Sequence, residues 1–312
     1  MKTQLLKTLP AAALAVTAAL ALSACGGNAN GSSSAPAADA KAASCPGGEI
    51  TFGIEPYEDP AKLKPAYDVL AAALSKKLDC PVKVQVVEDY AAEVLAMRNG
   101  KLDIGQFGPL GYVFADQKAK AEPLVSFGTA DKKLSSYTAG IWVPKDSPIR
   151  KIEDLKGKSL ALGSVGSTSG DVLPRFGLRE AGIADSDLKM DYTGGHPEAL
   201  LALKNGKVDA AEINSQTLAT AVSEGTFTKD DFRLVWSSDP IPNDPITVRG
   251  DADPAFKKAV KDAFLGLEPG DIAMVGAFLD VTPPGPLLEV SKETYTPLFE
   301  LAETMNLTEK DL

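Results

Sequence analysis

Histidine and cysteine are scarce in this sequence of 312 residues, which contains one histidine, three cysteines and only 6% aromatic residues. No C-x-x-C spacing occurs, and one histidine cannot supply the ligand cluster of a zinc site. A Gly-x-Ser-x-Gly nucleophile elbow is also missing. The sequence therefore predicts no metal site, no cofactor and no catalysis, and a secreted phosphoesterase is the less favoured alternative.

Basic residues are outnumbered, with 32 Lys and Arg against 42 Asp and Glu, which gives a net charge of −10. A general basic field that could bind nucleic acid is therefore absent. The chain is 44% apolar and 24% charged, with a mean hydropathy of −0.04. These values exclude fibrous, disordered and polytopic membrane classes and favour a globular chain with a large core.

The N-terminal segment has the order of charges and apolar residues that is typical of an export signal. Lys2 and Lys7 precede an uncharged run, Leu9 to Leu22, which is shorter than the roughly 20 residues of a spanning helix. The next residues, Leu-Ser-Ala-Cys ending at Cys25, resemble a bacterial lipobox. We predict a signal peptide over 1–24, a lipidated Cys25, a flexible tether over 25–45, and a location on the outer face of the cell membrane.

Two cysteines remain if Cys25 carries lipid, and disulfides persist outside the cytoplasm. Cys45 precedes the first predicted strand, and Cys80 precedes the second. If these strands are parallel neighbours, their starts are close enough for a bridge. We predict a Cys45–Cys80 disulfide, with two buried free thiols as the alternative.

Strand and helix patterns alternate through two series, which predicts an α/β fold with mainly parallel sheets. Short strands at Tyr137 to Val143 and Pro245 to Arg249 separate the series and are interpreted as paired crossovers. Three helices without further strands are expected to end the chain. This organisation predicts a discontinuous first lobe (46–140 and 245–312), a second lobe (141–244) and a central ligand cleft at the carboxyl ends of the strands.

The segment Gly163 to Pro174, GSVGSTSGDVLP, follows a predicted strand and opens a helix. Its glycines allow close backbone approach, while Ser167, Thr168 and Ser169 place hydroxyls beside the free N–H groups of a helix N-terminus. This pattern predicts a small anion site, although helix capping by Ser and Thr is the alternative. The segment lacks the Gly-Lys-Ser/Thr ending of a nucleotide loop.

His196 and Asp244 are further candidates for contact with a ligand. His196 follows two glycines at another strand-to-helix junction, and Asp244 lies in IPNDPI at the second crossover. Structural roles are the alternatives, because a lone histidine is often structural and Asn-Asp-Pro is common in turns.

Five segments together resemble the periplasmic phosphonate- and phosphite-binding proteins of ABC importers, which have a two-lobed type II periplasmic-binding-protein-like fold. These segments are FGIEPYEDPAKLKP, DYAAEVLAMRNGKLDIGQFGP, the S-T-S-G segment at 167–170 (hereafter the cradle), GGHPEALLALKNGKVDAA and IPNDPITVR. The resemblance implies a closed cleft that holds an oxyanion through two aromatic hydroxyls, a Ser-Thr pair, a histidine and an aspartate. The matching residues are Tyr90, Tyr137, Ser167, Thr168, His196 and Asp244.

At one position this chain differs from the family members that bind aminoalkyl phosphonates. Those members have a carboxylate where this chain has Gln216. The resemblance therefore implies a small ligand without an ammonium group, such as phosphite, methylphosphonate or hypophosphite. Phosphate binding and a sensory receptor of the same fold remain alternatives. The implied partners are a permease and an ATPase, and the implied state is a monomer.

Asp244 indicates how such a site could select its ligand. A carboxylate can approach an oxyanion only if a proton lies between them, so Asp244 favours ligands that keep a P–OH group and disfavours sulfate.

Overall fold

The computed structural model describes residues 44–312, in which strands and helices alternate along most of the chain. The predicted signal peptide, Cys25 and positions 25–43 of the predicted tether lie outside the described residues. In chain order the strands are β1 (Ile50–Ile54), β2 (Val82–Val86), β3 (Ile104–Gln106), β4 (Glu122–Thr129), β5 (Ser136–Tyr137), β6 (Gly140–Pro144), β7 (Ser159–Leu162), β8 (Lys189–Tyr192), β9 (Ala210–Glu212), β10 (Phe232–Ser237), β11 (Ile241–Pro242), β12 (Ile246–Val248) and β13 (Pro284–Glu289).

The helices begin at residues that suit helix N-termini. Asp59, Asp89 and Asp253 each accept a hydrogen bond from the first turn of a helix, and proline occupies the first turn of seven of the described helices. In chain order the helices are α1 (Pro60–Leu78), α2 (Tyr90–Arg98), α3 (Pro109–Ala119), α4 (Leu173–Glu180), α5 (His196–Lys204), α6 (Ser215–Ser223), α7 (Pro254–Leu265), α8 (Pro269–Phe278) and α9 (Thr296–Thr304).

The first sheet has the order β13-β4-β12-β3-β1-β2. β1 pairs in parallel with β2 and β3, whereas β12 pairs antiparallel with β3 and β4, and β13 pairs antiparallel with β4. The prediction of a mainly parallel sheet is therefore wrong for this half. The prediction of no strand after β12 is also wrong, because β13 completes an edge of the sheet.

The second sheet has the order β10-β6-β9-β7-β8. β7 pairs in parallel with β8 and β9, and β6 runs antiparallel to β9 and β10. The α/β class predicted from the alternating patterns is confirmed, with sheets that are mixed rather than mainly parallel.

The two predicted crossovers do not pair with each other as whole segments. Tyr137 of β5 pairs with Ile241 of β11 in a two-stranded ribbon. β6 then enters the second sheet, and β12 enters the first sheet between β3 and β4. The two segments predicted as crossovers are thus the places where the chain passes between the sheets, and the strand predicted over 137–143 is divided into β5 and β6.

Apolar side chains cover the faces of both sheets. On β1, the buried ring of Phe52 makes edge contacts with Tyr67 of α1 and Phe264 of α7, with 6.0 Å between ring centroids in each pair. On the second sheet, Leu160 and Ala161 of β7 are both fully buried, and each packs into a different apolar cluster. Both sheets are therefore covered by helices, so their strand ends and loops are left to form a site.

A disulfide links Cys45 to Cys80, with 5.4 Å between their Cα atoms. The bridge joins the starts of β1 and β2, whose register places Ile50 opposite Val82. The prediction from the compartment and from strand adjacency is thus confirmed. Among residues 44–312, no helix has both the length and the apolar character needed to cross a membrane.

Candidate functional site

The segment after β7 forms a tight turn followed by a π-helical turn. Gly166 has φ of 81°, which glycine adopts without strain, and Ser167 Oγ accepts a hydrogen bond from Gly170 N at 3.1 Å. The segment does not enter a regular α-helix directly, as predicted, because the π-turn Thr168–Val172 precedes α4. Pro174 accounts for the difference, since it cannot donate to the carbonyl four residues earlier.

Asp171 lies within this segment but does not present a negative charge to the cavity. Its carboxylate is fully buried and accepts hydrogen bonds from Gly166 N at 2.9 Å and Tyr192 OH at 2.7 Å. Arg175 Nε donates to the same carboxylate at 2.6 Å. The negative charge of Asp171 is therefore compensated by Arg175, and neither residue lines the cavity.

A polar cavity lies at the end of both sheets, with a volume of about 360 Å³ including its mouth. All eight residues predicted to contact a ligand line it. The lining residues are Glu55, Tyr57, Glu58, Tyr90, Gly108, Tyr137, Ser167, Thr168, Ser169, His196, Asn214, Gln216, Thr217, Asp244 and Phe278.

Hydrogen bonds from neighbouring helix N-termini fix two of the cradle hydroxyls. Thr168 Oγ1 accepts a hydrogen bond from Leu110 N, in the first turn of α3, at 2.9 Å. Asn214, which caps α6, donates from Nδ2 to Ser169 Oγ at 3.2 Å. Because Thr168 uses a lone pair for Leu110, its hydroxyl proton can still point into the cavity.

Tyr90 and Tyr137 approach the cradle from the other side. They are only 3% and 7% exposed, and their side chains line the same cavity as the cradle hydroxyls. Burial, reinforced by the nearby Glu55 and Asp244, raises the pKa of each phenol well above its ordinary value. Both tyrosines therefore remain neutral hydrogen-bond donors.

His196 begins α5 and is 4% exposed, with Nε2 3.4 Å from Ser167 Oγ. Its Nδ1 lies 2.7 Å from Oε1 of Glu212, a residue of β9 that is completely buried. Burial lowers the pKa of His196, but Glu212 raises it, and the net direction is upward. The only histidine of the chain is therefore a candidate cation at the cavity.

Asp244 is 5% exposed and accepts a hydrogen bond from Gln106 Nε2 at 3.3 Å. Burial raises the pKa of Asp244 to about 7, although Gln106 and His196 act in the opposite direction. Ser126 Oγ donates to the Asp244 carbonyl at 2.9 Å and holds the loop in place. Asp244 can therefore either donate or accept a proton near neutral pH.

Gln216, in the first turn of α6, is oriented by the opposite wall of the cavity. Its Nε2 donates to Asn243 Oδ1 at 2.6 Å and to the Leu279 carbonyl at 3.1 Å. These bonds occupy both N–H groups of the side-chain amide, so the group left for other contacts is the amide oxygen.

The sequence analysis did not single out Glu55 and Glu58, which line the cavity, or Glu212, which contacts His196. Glu55 Oε2 is buried and has no hydrogen-bond partner in the described part of the chain. Burial and Asp244 raise the pKa of Glu55 well above its ordinary value. A signal was present, because EPYE directly follows the carboxyl end of β1, the edge where α/β sheets bind ligands.

Comparison with known proteins defines the class of fold. A solved structure from Prochlorococcus marinus (MIT 9301), described as PhnD1 in complex with methylphosphonate, matches with a TM-score of 0.72 and 21% identity. The match covers 85% of this chain and 99% of that one. The chain therefore has a two-sheet fold of the periplasmic-binding-protein kind.

The family described as "ABC transporter, phosphonate, periplasmic substrate-binding protein" matches residues 52–282. This chain belongs to that family, whose described role is to bind a substrate rather than to catalyse a reaction.

Two curated relatives are 31% identical to this chain. The phosphonates-binding periplasmic protein of Escherichia coli (strain K12) aligns over 221 residues, and the phosphate-import protein PhnD of Mycolicibacterium smegmatis aligns over 203. These alignments cover 69% and 62% of this chain, and 65% and 63% of the relatives. The chain thus matches slightly less than two thirds of the length of either relative.

Proposed function

We propose that the chain is a lipid-tethered, monomeric binding protein of an ABC importer. It captures a small phosphorus oxyanion outside the cell membrane and delivers it to a permease and its ATPase. Family membership supports the role, because the family is described as the substrate-binding component of phosphonate transporters. The lipobox-like sequence ending at Cys25 supports the tether.

The observation that carries the ligand class is the lining of the cavity. The described residues that line it supply several hydroxyl groups, one imidazole, two amides and the three carboxyl groups of Glu55, Glu58 and Asp244, and none of these residues is Lys or Arg. Three helices, α3, α5 and α6, also begin at the lining residues Gly108, His196 and Asn214. Convergent helix N-termini attract an anion that has several oxygen acceptors and needs no lysine.

Asp244 provides the selectivity for a phosphorus oxyanion over sulfate. With a pKa of about 7, its carboxyl group can share one proton with a ligand that carries P–OH. Sulfate is fully ionised at neutral pH, so it must face an ionised Asp244 or force that group to take up a proton. Phosphite and methylphosphonate can carry a P–OH group, so they avoid this repulsion by sharing a proton with Asp244.

The absence of charge at Gln216 favours a ligand without an ammonium group. Glu58 lines the same cavity, however, and is 7% exposed. A carboxylate is thus available at a position that the sequence comparison did not consider. Aminoethylphosphonate is for this reason included in the binding experiment, with Glu58→Gln as its matched variant.

Phosphate is the second candidate ligand, and two carboxyl groups favour it. Glu55 and Asp244 both line the cavity, and dihydrogen phosphate has two P–OH groups where methylphosphonate monoanion has one. The relative from Mycolicibacterium smegmatis is described as a phosphate-import protein.

We also propose that the two sheets belong to separate lobes, 46–140 with 245–312 and 141–244, which close on the ligand. Strands β5 and β11 connect the lobes, and the hydrogen bond from Leu110 N to Thr168 Oγ1 joins them across the cavity. Closure gives the transporter a way to distinguish a loaded binding protein from an empty one.

Isothermal titration calorimetry at pH 7 with phosphite, methylphosphonate, aminoethylphosphonate, phosphate and sulfate tests the proposal. Tight binding of phosphite or methylphosphonate is expected, with aminoethylphosphonate weaker and sulfate weakest. Preferential binding of phosphate would select the second candidate. Nanomolar binding of aminoethylphosphonate that is lost in Glu58→Gln would contradict the inference from Gln216.

A further inference from the structure

Glu212 lies at the end of β9 and is completely buried beneath the cavity. Its Oε1 is 2.7 Å from His196 Nδ1, whereas Oε2 has no hydrogen-bond partner within residues 44–312. Burying a carboxylate is unfavourable unless it is paired, so the imidazole is the group that compensates its charge. Glu212 does not itself line the cavity.

Two glycines of the strand-to-helix segment leave the space that this pair occupies. A Cβ atom at Gly163 would lie 2.8 Å from Glu212 Oε1, and a Cβ atom at Gly170 would lie 2.8 Å from His196 Cε1. Both distances are shorter than side chains tolerate. These glycines therefore make room for the histidine and its carboxylate as well as for the approach of a ligand.

The contact with Glu212 decides which nitrogen of the imidazole faces the cavity. Because Nδ1 points at Glu212, Nε2 points toward Ser167 Oγ at 3.4 Å and toward the cavity. An imidazolium held in this way donates Nδ1–H to the carboxylate and Nε2–H to an anion. A neutral imidazole would donate through only one nitrogen.

Three other carboxyl groups, each from a different segment of the chain, lie near the pair of Glu212 and His196. The negative charges of Glu58 and Asp244 raise the pKa of His196, as Glu212 does. The negative charge of Asp171 raises the pKa of Glu212. Burial raises the pKa of Glu212, and His196 opposes that change. Four carboxyl groups, Glu212 included, thus lie around a single imidazole, and two of them, Glu58 and Asp244, line the cavity.

We propose that Glu212 is a positioning residue for anion binding, which aims the Nε2–H of His196 into the cavity and keeps the imidazole charged. This inference rests on the proposed function of the site, and it adds a residue that does not contact the ligand.

The imidazole can be observed directly, since the full sequence contains one histidine. In ¹⁵N NMR spectra of the labelled protein at pH 7, we expect both ring nitrogens of the wild type to carry protons. In Glu212→Gln the amide oxygen still accepts from Nδ1, but the negative charge is gone, so the imidazole should lose its proton at a pH lower by about one unit or more. Glu198→Gln, an exposed position two residues from His196, is the matched control and should titrate like the wild type.

Binding is measured in parallel by calorimetry with methylphosphonate and with phosphite between pH 5.5 and 8.5. Affinity for Glu212→Gln should approach that of the wild type at the acid end and fall by roughly tenfold or more at the alkaline end, where its imidazole is neutral. In a His196→Ala background, Glu212→Gln should cause no additional change in affinity.

A neutral imidazole in the wild type at pH 7 would overturn the inference, and this measurement does not depend on a variant that folds. Equal NMR titrations of wild type and Glu212→Gln would overturn it as well. If the wild type binds none of the five anions, the proposed function fails even where the titration shift is observed. Normal binding without that shift refutes only the role of Glu212.

Discussion

Thr168 illustrates how one hydroxyl can serve both the fold and the ligand. Its oxygen accepts from Leu110 N, so its proton is available to a bound anion. We predict that Thr168→Val, which preserves shape but removes the hydroxyl, weakens methylphosphonate binding by roughly tenfold or more. Calorimetry measures this change, and Thr168→Ser is the control that should retain most of the affinity. Unchanged binding by the valine variant would reduce Thr168 to a packing residue.

Asp244 is expected to reduce the stability of the empty protein. Burial raises the pKa of Asp244 from 3.8 to about 7. The protonated carboxyl group does not destabilise the folded protein, so no unfolding free energy is lost below the unfolded-state pKa of 3.8. As the pH rises from there toward 7, the unfolded state ionises more readily and the unfolding free energy falls. Between pH 4 and pH 8 the wild type should therefore lose up to roughly 4 kcal/mol more unfolding free energy than Asp244→Asn. Urea denaturation at the two pH values measures the difference.

The same variant tests selectivity, because an asparagine does not repel sulfate. Asp244→Asn should bind sulfate more tightly relative to methylphosphonate than the wild type does. Equal pH dependence of stability in the two proteins, or unaltered rejection of sulfate, would contradict the role assigned to Asp244.

Glu55 is expected to act as a neutral donor, because burial and the nearby Asp244 raise the pKa of its carboxyl group well above the ordinary value. Glutamine reproduces that arrangement, with an amide N–H in place of the O–H. Glu55→Gln should bind methylphosphonate at pH 7 within about threefold of the wild type, whereas Glu55→Ala should be clearly weaker. Loss of binding in the glutamine variant alone would mean that Glu55 acts as an anion.

The residues of the site differ in how well the sequence predicted them. The sequence pattern was sufficient to predict the hydroxyl residues Ser167, Thr168 and Ser169, because their signal is local: they lie between glycines at a strand-to-helix junction. The pairing of Glu212 with His196 joins positions that are 16 residues apart, and it depends on the register of β9 beside β7. A local sequence pattern cannot predict the register between two strands that are distant in the chain.

At the level of elements, the sequence predicted the main helices and the strands of the alternating series. Helices α3 (Pro109–Ala119) and α7 (Pro254–Leu265), for example, both begin at a proline, which is a local signal for a helix N-terminus. Strand β13 was missed because it begins Pro-Gly-Pro, which is typical of a turn. Its pairing with β4, which is remote in sequence, overrides this local preference.

The disulfide stabilises the pairing of β1 with β2 by closing a loop between residues 35 positions apart. The chain-entropy estimate for such a loop is about 3 to 4 kcal/mol. We predict that the double variant Cys45→Ser, Cys80→Ser loses a comparable amount of unfolding free energy and still binds the ligand, since neither cysteine lines the cavity. Denaturant titration and calorimetry measure the two effects. An unchanged free energy of unfolding would show that the bridge is dispensable.

At the scale of the whole molecule, the site exists only when both sheets are brought together. Tyr90 and Gly108 follow strands of the first sheet, whereas Ser167 and His196 follow strands of the second. Sequence analysis anticipated this convergence from the rule that ligands bind at the carboxyl ends of parallel strands. It could not provide the mixed strand order, because antiparallel insertions such as β12 depend on long-range pairing.

Closure of the two proposed lobes should be visible in solution. Saturating methylphosphonate should decrease the radius of gyration measured by small-angle X-ray scattering, because the ligand bridges donors from both sheets. Thr168→Val should show a smaller decrease, since it lacks the cross-cavity bond. An identical radius with and without bound ligand, in a sample that calorimetry shows to be saturated, would contradict closure.

The most direct measurement is a crystal structure of the protein with bound methylphosphonate or phosphite. The account predicts that the oxyanion lies within hydrogen-bond distance of Thr168, Ser167 and His196 Nε2, with one P–OH directed at Asp244. Density for the ligand at another position, or only solvent beside these side chains at saturating concentration, would contradict the account.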